Sequence, residues 1–109
     1  MTDRRKYLFD ILQSIEAIDV HLSGIDTFDK YSANITVQRA VERELEIIGE
    51  AMNRMTEAQP DIPISDTRKI IATRNRIIHG YDSVDNAIVW NVVRKNIPVL
   101  RKEIFDLLK

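Results

Sequence analysis

Arg74, His79 and Tyr81 are the residues of this 109-residue chain whose types and spacing could do chemistry together. They lie in Arg74-Asn75-Arg76-Ile77-Ile78-His79-Gly80-Tyr81. Arginine grips a phosphate through two parallel N–H donors, and histidine exchanges a proton near neutral pH. A cation, an imidazole and a phenol near one spot suit phosphate chemistry. Ile70, Ile71, Ile77 and Ile78 form one apolar helical face. Arg74 falls inside that face, where an ionised group costs several kcal/mol unless it is paired or solvated. The structural alternative is an ion pair between Arg74 and Glu44 or another acid. In one continuous helix, residues i and i+5 lie about 140° apart. Arg74 and His79 therefore converge only if the helix ends near His79 or a second subunit supplies half the site. Gly80 is the expected stop, in the left-handed conformation. The bland alternatives are a helix-end contact of His79 with terminal carbonyls, and packing of Tyr81 beside the turn.

The elements that must position these groups are helical. Asp3 is the expected cap of a first helix. Its stripe is Leu8, Ile11, Leu12, Ile15, Ile18, Leu22 and Ile25, ending at Ser23-Gly24. His21 reads as an ordinary side chain of that helix. Asp26 to Asn34 connects, with room for one extra helical turn, and Phe28 and Tyr31 are expected to pack on the core. Asn34 caps a second helix over Ile35 to Glu57, whose stripe is Val37, Val41, Leu45, Ile48, Met52 and Met55. Glu44 lies at the edge of this stripe. Glu50 is expected on the opposite face with Arg39, Arg43, Glu46 and Arg54. That face reads as solvated surface laced with ion pairs, or in part as contact with a second subunit or RNA. Pro60 and Pro63 break the pattern, and Ser65 or Asp66 caps the third helix, which carries the motif. Tyr81 to Ser83 form a turn, and Ser83 caps a fourth helix from near Val84. In its stripe of Val89, Val93, Ile97, Leu100, Ile104 and Leu107, Pro98 predicts a kink near Arg94. Trp90 is a core or interface anchor. Four helices with short connections predict an all-α, antiparallel up-down four-helix bundle, one domain over 1–109.

Composition narrows the function classes. The chain is 44% hydrophobic and 30% charged, as in soluble globular proteins. It has no cysteine, hence neither disulfide framework nor thiolate metal site. Two histidines, His21 and His79, are too few for a histidine-rich metal centre. The amino-terminal stretch lacks the apolar core of a signal peptide, and no run approaches a membrane span; a cytoplasmic protein without cofactor or metal is expected. The net charge of −1 gives no far field for RNA, so nucleic-acid binding needs a local basic patch.

Arg74-x4-His79-x-Tyr81 resembles the Arg-x4-His-x-Tyr signature of HEPN ribonucleases, specifically the HepT-like toxins. Asn75 matches the polar residue that often follows the arginine. Ile48-Gly49-Glu50-Ala51 resembles the family's Ile-Gly-Glu-Ala segment and Val89-Trp90 its Val-Trp pair, so the likeness runs over nearly the whole chain. The resemblance implies a HEPN-like bundle and a metal-independent endoribonuclease, the toxin of a toxin–antitoxin pair of the type II or VII kind. It implies catalytic Arg74 and His79, with Asn75 in support, at the cleft of a homodimer. It implies RNA as substrate and an MNT-type nucleotidyltransferase antitoxin that attaches AMP to Tyr81. Arg76, Arg68 and Lys69 read as RNA-backbone contacts or plain surface. The alternative is a non-catalytic HEPN module that binds a nucleotide or a partner nucleotidyltransferase.

Overall fold

The computed structural model describes residues 4–80 and 84–109. The expected Asp3 cap, the 81–83 turn, the Ser83 cap and Tyr81 itself lie outside the described residues.

The chain folds as an all-α bundle: α1 (Arg4–His21), α2 (Phe28–Ser32), α3 (Ile35–Ala58), α4 (Thr67–His79), α5 (Asn86–Asn91), a π-helical segment (Val92–Asn96) and α6 (Ile97–Leu108). The last three elements follow one another without a loop and form the fourth rod. α1 and α3 run antiparallel, because Arg4 at the start of α1 donates to Gln59 just past α3 while His21 at its end meets Glu44.

Local chemistry sets the element ends. Gly24 carries the turn after α1 at φ +81°, a conformation open to glycine at little cost. α2 supplies the extra turn expected between the first two long helices. The Thr27 side chain accepts from Lys30 N–H at its start, and buried Gln38 donates to the Tyr31 and Ser32 carbonyls at its end. Asn34 caps α3 by accepting from Val37 N–H. Asp66 precedes α4 but makes no side-chain cap bond; its carboxylate accepts from Asn96 instead, tying α4 to the π segment. Asp85 caps α5 by accepting from Ala87 N–H, so the rod starts two residues later than the expected Val84. Pro98 has no N–H for a bond to the Arg94 carbonyl. The helix widens just before it, and the Ile97 N–H reaches back five residues to Val92. The expected kink is thus a short π stretch centred on Arg94.

The core is built from the apolar stripes. Leu8, Ile11, Ile15 and Ile18 of α1 meet Val41, Leu45, Ile48, Met52 and Met55 of α3, with Ile70 and Ile77 of α4 and Val89, Val92, Ile97, Leu100 and Ile104 of the fourth rod. Fully burying one such side chain stabilises by about 1.5–3 kcal/mol, so this interior fixes the helix that carries the motif. Tyr31 is fully buried, its ring 5.4 Å from that of half-buried Trp90. Phe28, expected on the core, is instead 37% exposed: α2 is so short that Tyr31 takes the inward position.

Candidate active site

α4 lays Arg74 against α3, at the edge of a groove that α1 also borders, and the reason it fits is Gly49. A mid-helix glycine costs roughly 0.5–1 kcal/mol relative to alanine. Here it lets α3 and α4 approach so closely that a Cβ at position 49 would overlap the Arg74 Cβ and stand 2.6 Å from its Cγ. The aliphatic stem of Arg74 lies across this bare backbone. Its head is held on two sides. Arg74 Nη2 donates to Glu50 Oε2 at 2.7 Å, and Nη1 donates to Asn75 Oδ1 at 2.8 Å. The Arg74 side chain stays 23% exposed, so an arginine inside an apolar stripe is both paired and partly solvated, and the desolvation cost is largely avoided.

The acid that pairs with Arg74 is therefore Glu50, not Glu44. Glu44 faces α1 and contacts His21 Nε2 at 3.3 Å, which gives His21 a specific partner. Glu50 does not lie on a face turned away from the motif. α3 is sandwiched between α1 and α4, and its buried arc includes Gly49 and Ala51 beside the large apolar residues. Glu50 also accepts from Arg54 Nε at 3.0 Å through its other oxygen. The remaining pairs on that face, Arg39–Glu42 and Arg43–Glu46, are spaced three residues apart along α3. Glu42 is nonetheless buried.

Arg74 opens into a groove of about 650 Å³ walled by Tyr7 and Asp10 of α1, by Arg43, Glu46, Ile47, Glu50, Ala51 and Arg54 of α3, and by Ile78. Its three arginines are balanced by three carboxylates. Hydrogen bonding to Glu50 raises the pKa of Arg54 above its ordinary value. His79 opens elsewhere. It is the last residue of α4 and lines a second hollow of about 440 Å³ with Ala72, Asn75, Arg76 and Gly80. α4 does end at His79, with Gly80 N–H bonded to the Arg76 carbonyl. Gly80, however, has φ −129° and ψ 45° rather than the left-handed conformation. Asn75 spans the two hollows, lining one and holding the arginine of the other. Among the described residues, Arg74 and His79 line different recesses. Arg68, Lys69 and Arg76 are exposed along α4. Among the described residues no cluster of three or more His, Asp or Glu groups is arranged to hold a metal, and no helix is long and apolar enough to cross a membrane.

Comparison with known proteins decides the family. The sequence model of the family described as Ribonuclease HepT-like matches residues 11–106. The chain belongs to the HepT-like ribonuclease family. Relatives of nearly the same length agree with it. A "Probable ribonuclease HepT" of Thermococcus cleftensis is 35% identical over 109 residues, covering 96% of each chain. A protein of Methanocaldococcus jannaschii named as an unproven RNase is 32% identical over 106 residues, or 94% of each. One of Caldanaerobacter subterraneus, named likewise, is 33% identical over 113 residues, spanning this whole chain and 97% of the relative. No solved structure matches significantly. Sequence reasoning missed Gly49 as the residue that seats Arg74, and Glu50 as its partner. The available signal was a glycine in mid-helix, immediately before an acid.

Proposed function

We propose that this HepT-like chain, acting as one domain over 1–109, is a metal-independent endoribonuclease whose site is completed across a homodimer. The observation that carries the reading is the disposition of α4. A fixed, half-buried arginine opens on one side of the helix, a histidine at its end opens on the other, and Asn75 links them. Two copies packed about a two-fold axis through this region would set the Arg74 of one protomer beside the His79 of its partner.

In that cleft the RNA 2′-hydroxyl attacks the adjacent phosphorus. The 2′-O–P bond forms and the P–O5′ bond breaks, leaving a 2′,3′-cyclic phosphate and a 5′-hydroxyl. One imidazole takes the 2′-hydroxyl proton and the other protonates the departing oxygen, so protons balance. Arg74 stabilises the charge gathering on the non-bridging oxygens, with Asn75 holding its guanidinium. Arg76, beside His79, and Arg68 and Lys69 contact the flanking RNA backbone. We assign Tyr81, by resemblance, as the residue on which an MNT-type nucleotidyltransferase antitoxin places AMP. A phosphodiester there adds negative charge and bulk near the site and silences this toxin in the cytoplasm.

The balanced charge of the Arg74 groove favours a second reading, a non-catalytic module that binds a nucleotide or its partner enzyme. Cleavage of RNA in EDTA by wild type, compared with Arg74→Ala and His79→Ala, separates the two. Cyclic-phosphate products from wild type alone support the nuclease. Tight nucleotide binding with no cleavage, by protein whose intact mass shows no added AMP, supports the module.

A further inference from the structure

We propose that Glu50 is the positioning residue of Arg74, and that it fixes the guanidinium for turnover while withholding part of the groove's affinity for RNA. The proposal rests on the ribonuclease reading above. Glu50 divides its carboxylate between two arginines, Oε2 to Arg74 at 2.7 Å and Oε1 to Arg54 at 3.0 Å. The two pairs differ in kind. Arg54–Glu50 is an exposed pair four residues apart on α3, a type that contributes little to stability. Arg74–Glu50 joins α3 to α4 at the point where Gly49 has brought the helices together.

The guanidinium carries five N–H donors. Glu50 and Asn75 take one from each terminal nitrogen. These two anchors fix both the plane and the direction of the head, and leave the other donors to a phosphate. A fixed cation is worth most at the moment charge develops, because it has no reorganisation to undergo then. In the ground state the same carboxylate works against binding. Two arginines with one glutamate sum to a charge of +1 facing the groove; without that negative charge they sum to +2. Glu50 therefore lowers ground-state attraction for the RNA backbone while serving the transition state, the division of binding energy that raises turnover.

Glu50→Gln keeps the size and an acceptor oxygen but removes the charge; Glu50→Asp keeps the charge and shortens the reach. Each is compared with wild type by kcat and KM on RNA, by Kd for an oligonucleotide whose cleavage-site 2′-hydroxyl is replaced by hydrogen, at several salt concentrations, and by thermal denaturation. The expected Glu50→Gln protein turns over about tenfold more slowly, short of the roughly 100-fold cost of a 1 Å misplacement because the glutamine oxygen still accepts from Arg74. It binds the uncleavable oligonucleotide more tightly, with a salt slope steeper by about one, and melts close to wild type. Glu50→Asp recovers part of kcat and returns Kd toward wild type. Any other Glu50→Gln result, whether unchanged kinetics or slower turnover with unchanged or weaker binding, overturns the proposal. If wild type cleaves RNA and Arg74→Ala does not, that failure falls on Glu50 alone. Wild type that neither binds nor cleaves RNA refutes the nuclease reading and this proposal with it.

Discussion

Replacing Gly49 by alanine pits helix propensity against helix packing. Alanine is favoured over glycine inside a helix by up to about 1 kcal/mol, so an open mid-helix position would gain stability. Here the new methyl would overlap the Arg74 Cβ, an atom rooted in the α4 backbone that no rotamer change removes, and would also stand 2.6 Å from Cγ. The helices must therefore separate, and overpacking of this kind costs about 1–3 kcal/mol. The expected balance is a net loss of about 1 kcal/mol, or roughly 4 °C in Tm for a domain of this size. Activity should fall further than stability, because any separation draws Arg74 away from Glu50, and a displacement of about 1 Å can cost about 100-fold. Thermal denaturation and RNA cleavage at 25 °C on the same preparation check both. Gly24 is the internal control. It has φ +81° and nothing within 4 Å of an added Cβ, so Gly24→Ala should cost about 1–2 kcal/mol of backbone strain and leave turnover untouched. A Gly49→Ala protein that is more stable than wild type and fully active would refute the close approach of α3 and α4 at Arg74.

Mixing equal amounts of wild type and His79→Ala, with subunit exchange, should leave about a quarter of the cleavage of the same total of wild type, since a mixed dimer brings one imidazole to a cleft that uses two; about a half remaining in verified mixed dimers would place the site within one protomer. Tyr31→Phe should leave stability at neutral pH unchanged or higher, because the buried Tyr31 hydroxyl has no hydrogen-bond partner among the described residues and such groups cost about 1–3 kcal/mol. The same phenol predicts an alkaline limit. Burial, then the charge of Glu42, raises its pKa above the ordinary 10.0, so its contribution is fully present below that pH and is lost above it as the unfolded chain ionises first; urea titrations from pH 9 to 11 should show a steeper decline in wild type than in Tyr31→Phe. Asn34→Ala, which removes the cap of α3, should cost about 1 kcal/mol, read as a lower urea midpoint with unchanged slope.

The sequence by itself determined the helices and most of their ends. Periods of three and four in the α1 and α3 stripes leave no other way to bury Leu8 to Ile18 against Val41 to Met55. Asn34 and Pro98 act through bonds to near neighbours in the chain, so their effects are legible locally. The motif, too, is a local string, and the spacing of Arg74 and His79 already required a helix end or a second subunit. What only the tertiary structure decided is which groups meet across helices. Glu50 looked turned away because a single apolar stripe implies a single buried face, whereas α3 has a neighbour on each side and a wide buried arc. Glu44 looked like the partner because it borders the stripe, but that edge faces α1 and His21. Gly49 has no side chain and so contributes nothing to a hydrophobic pattern; its role exists only in the distance between two helices, a distance set by what is missing from position 49.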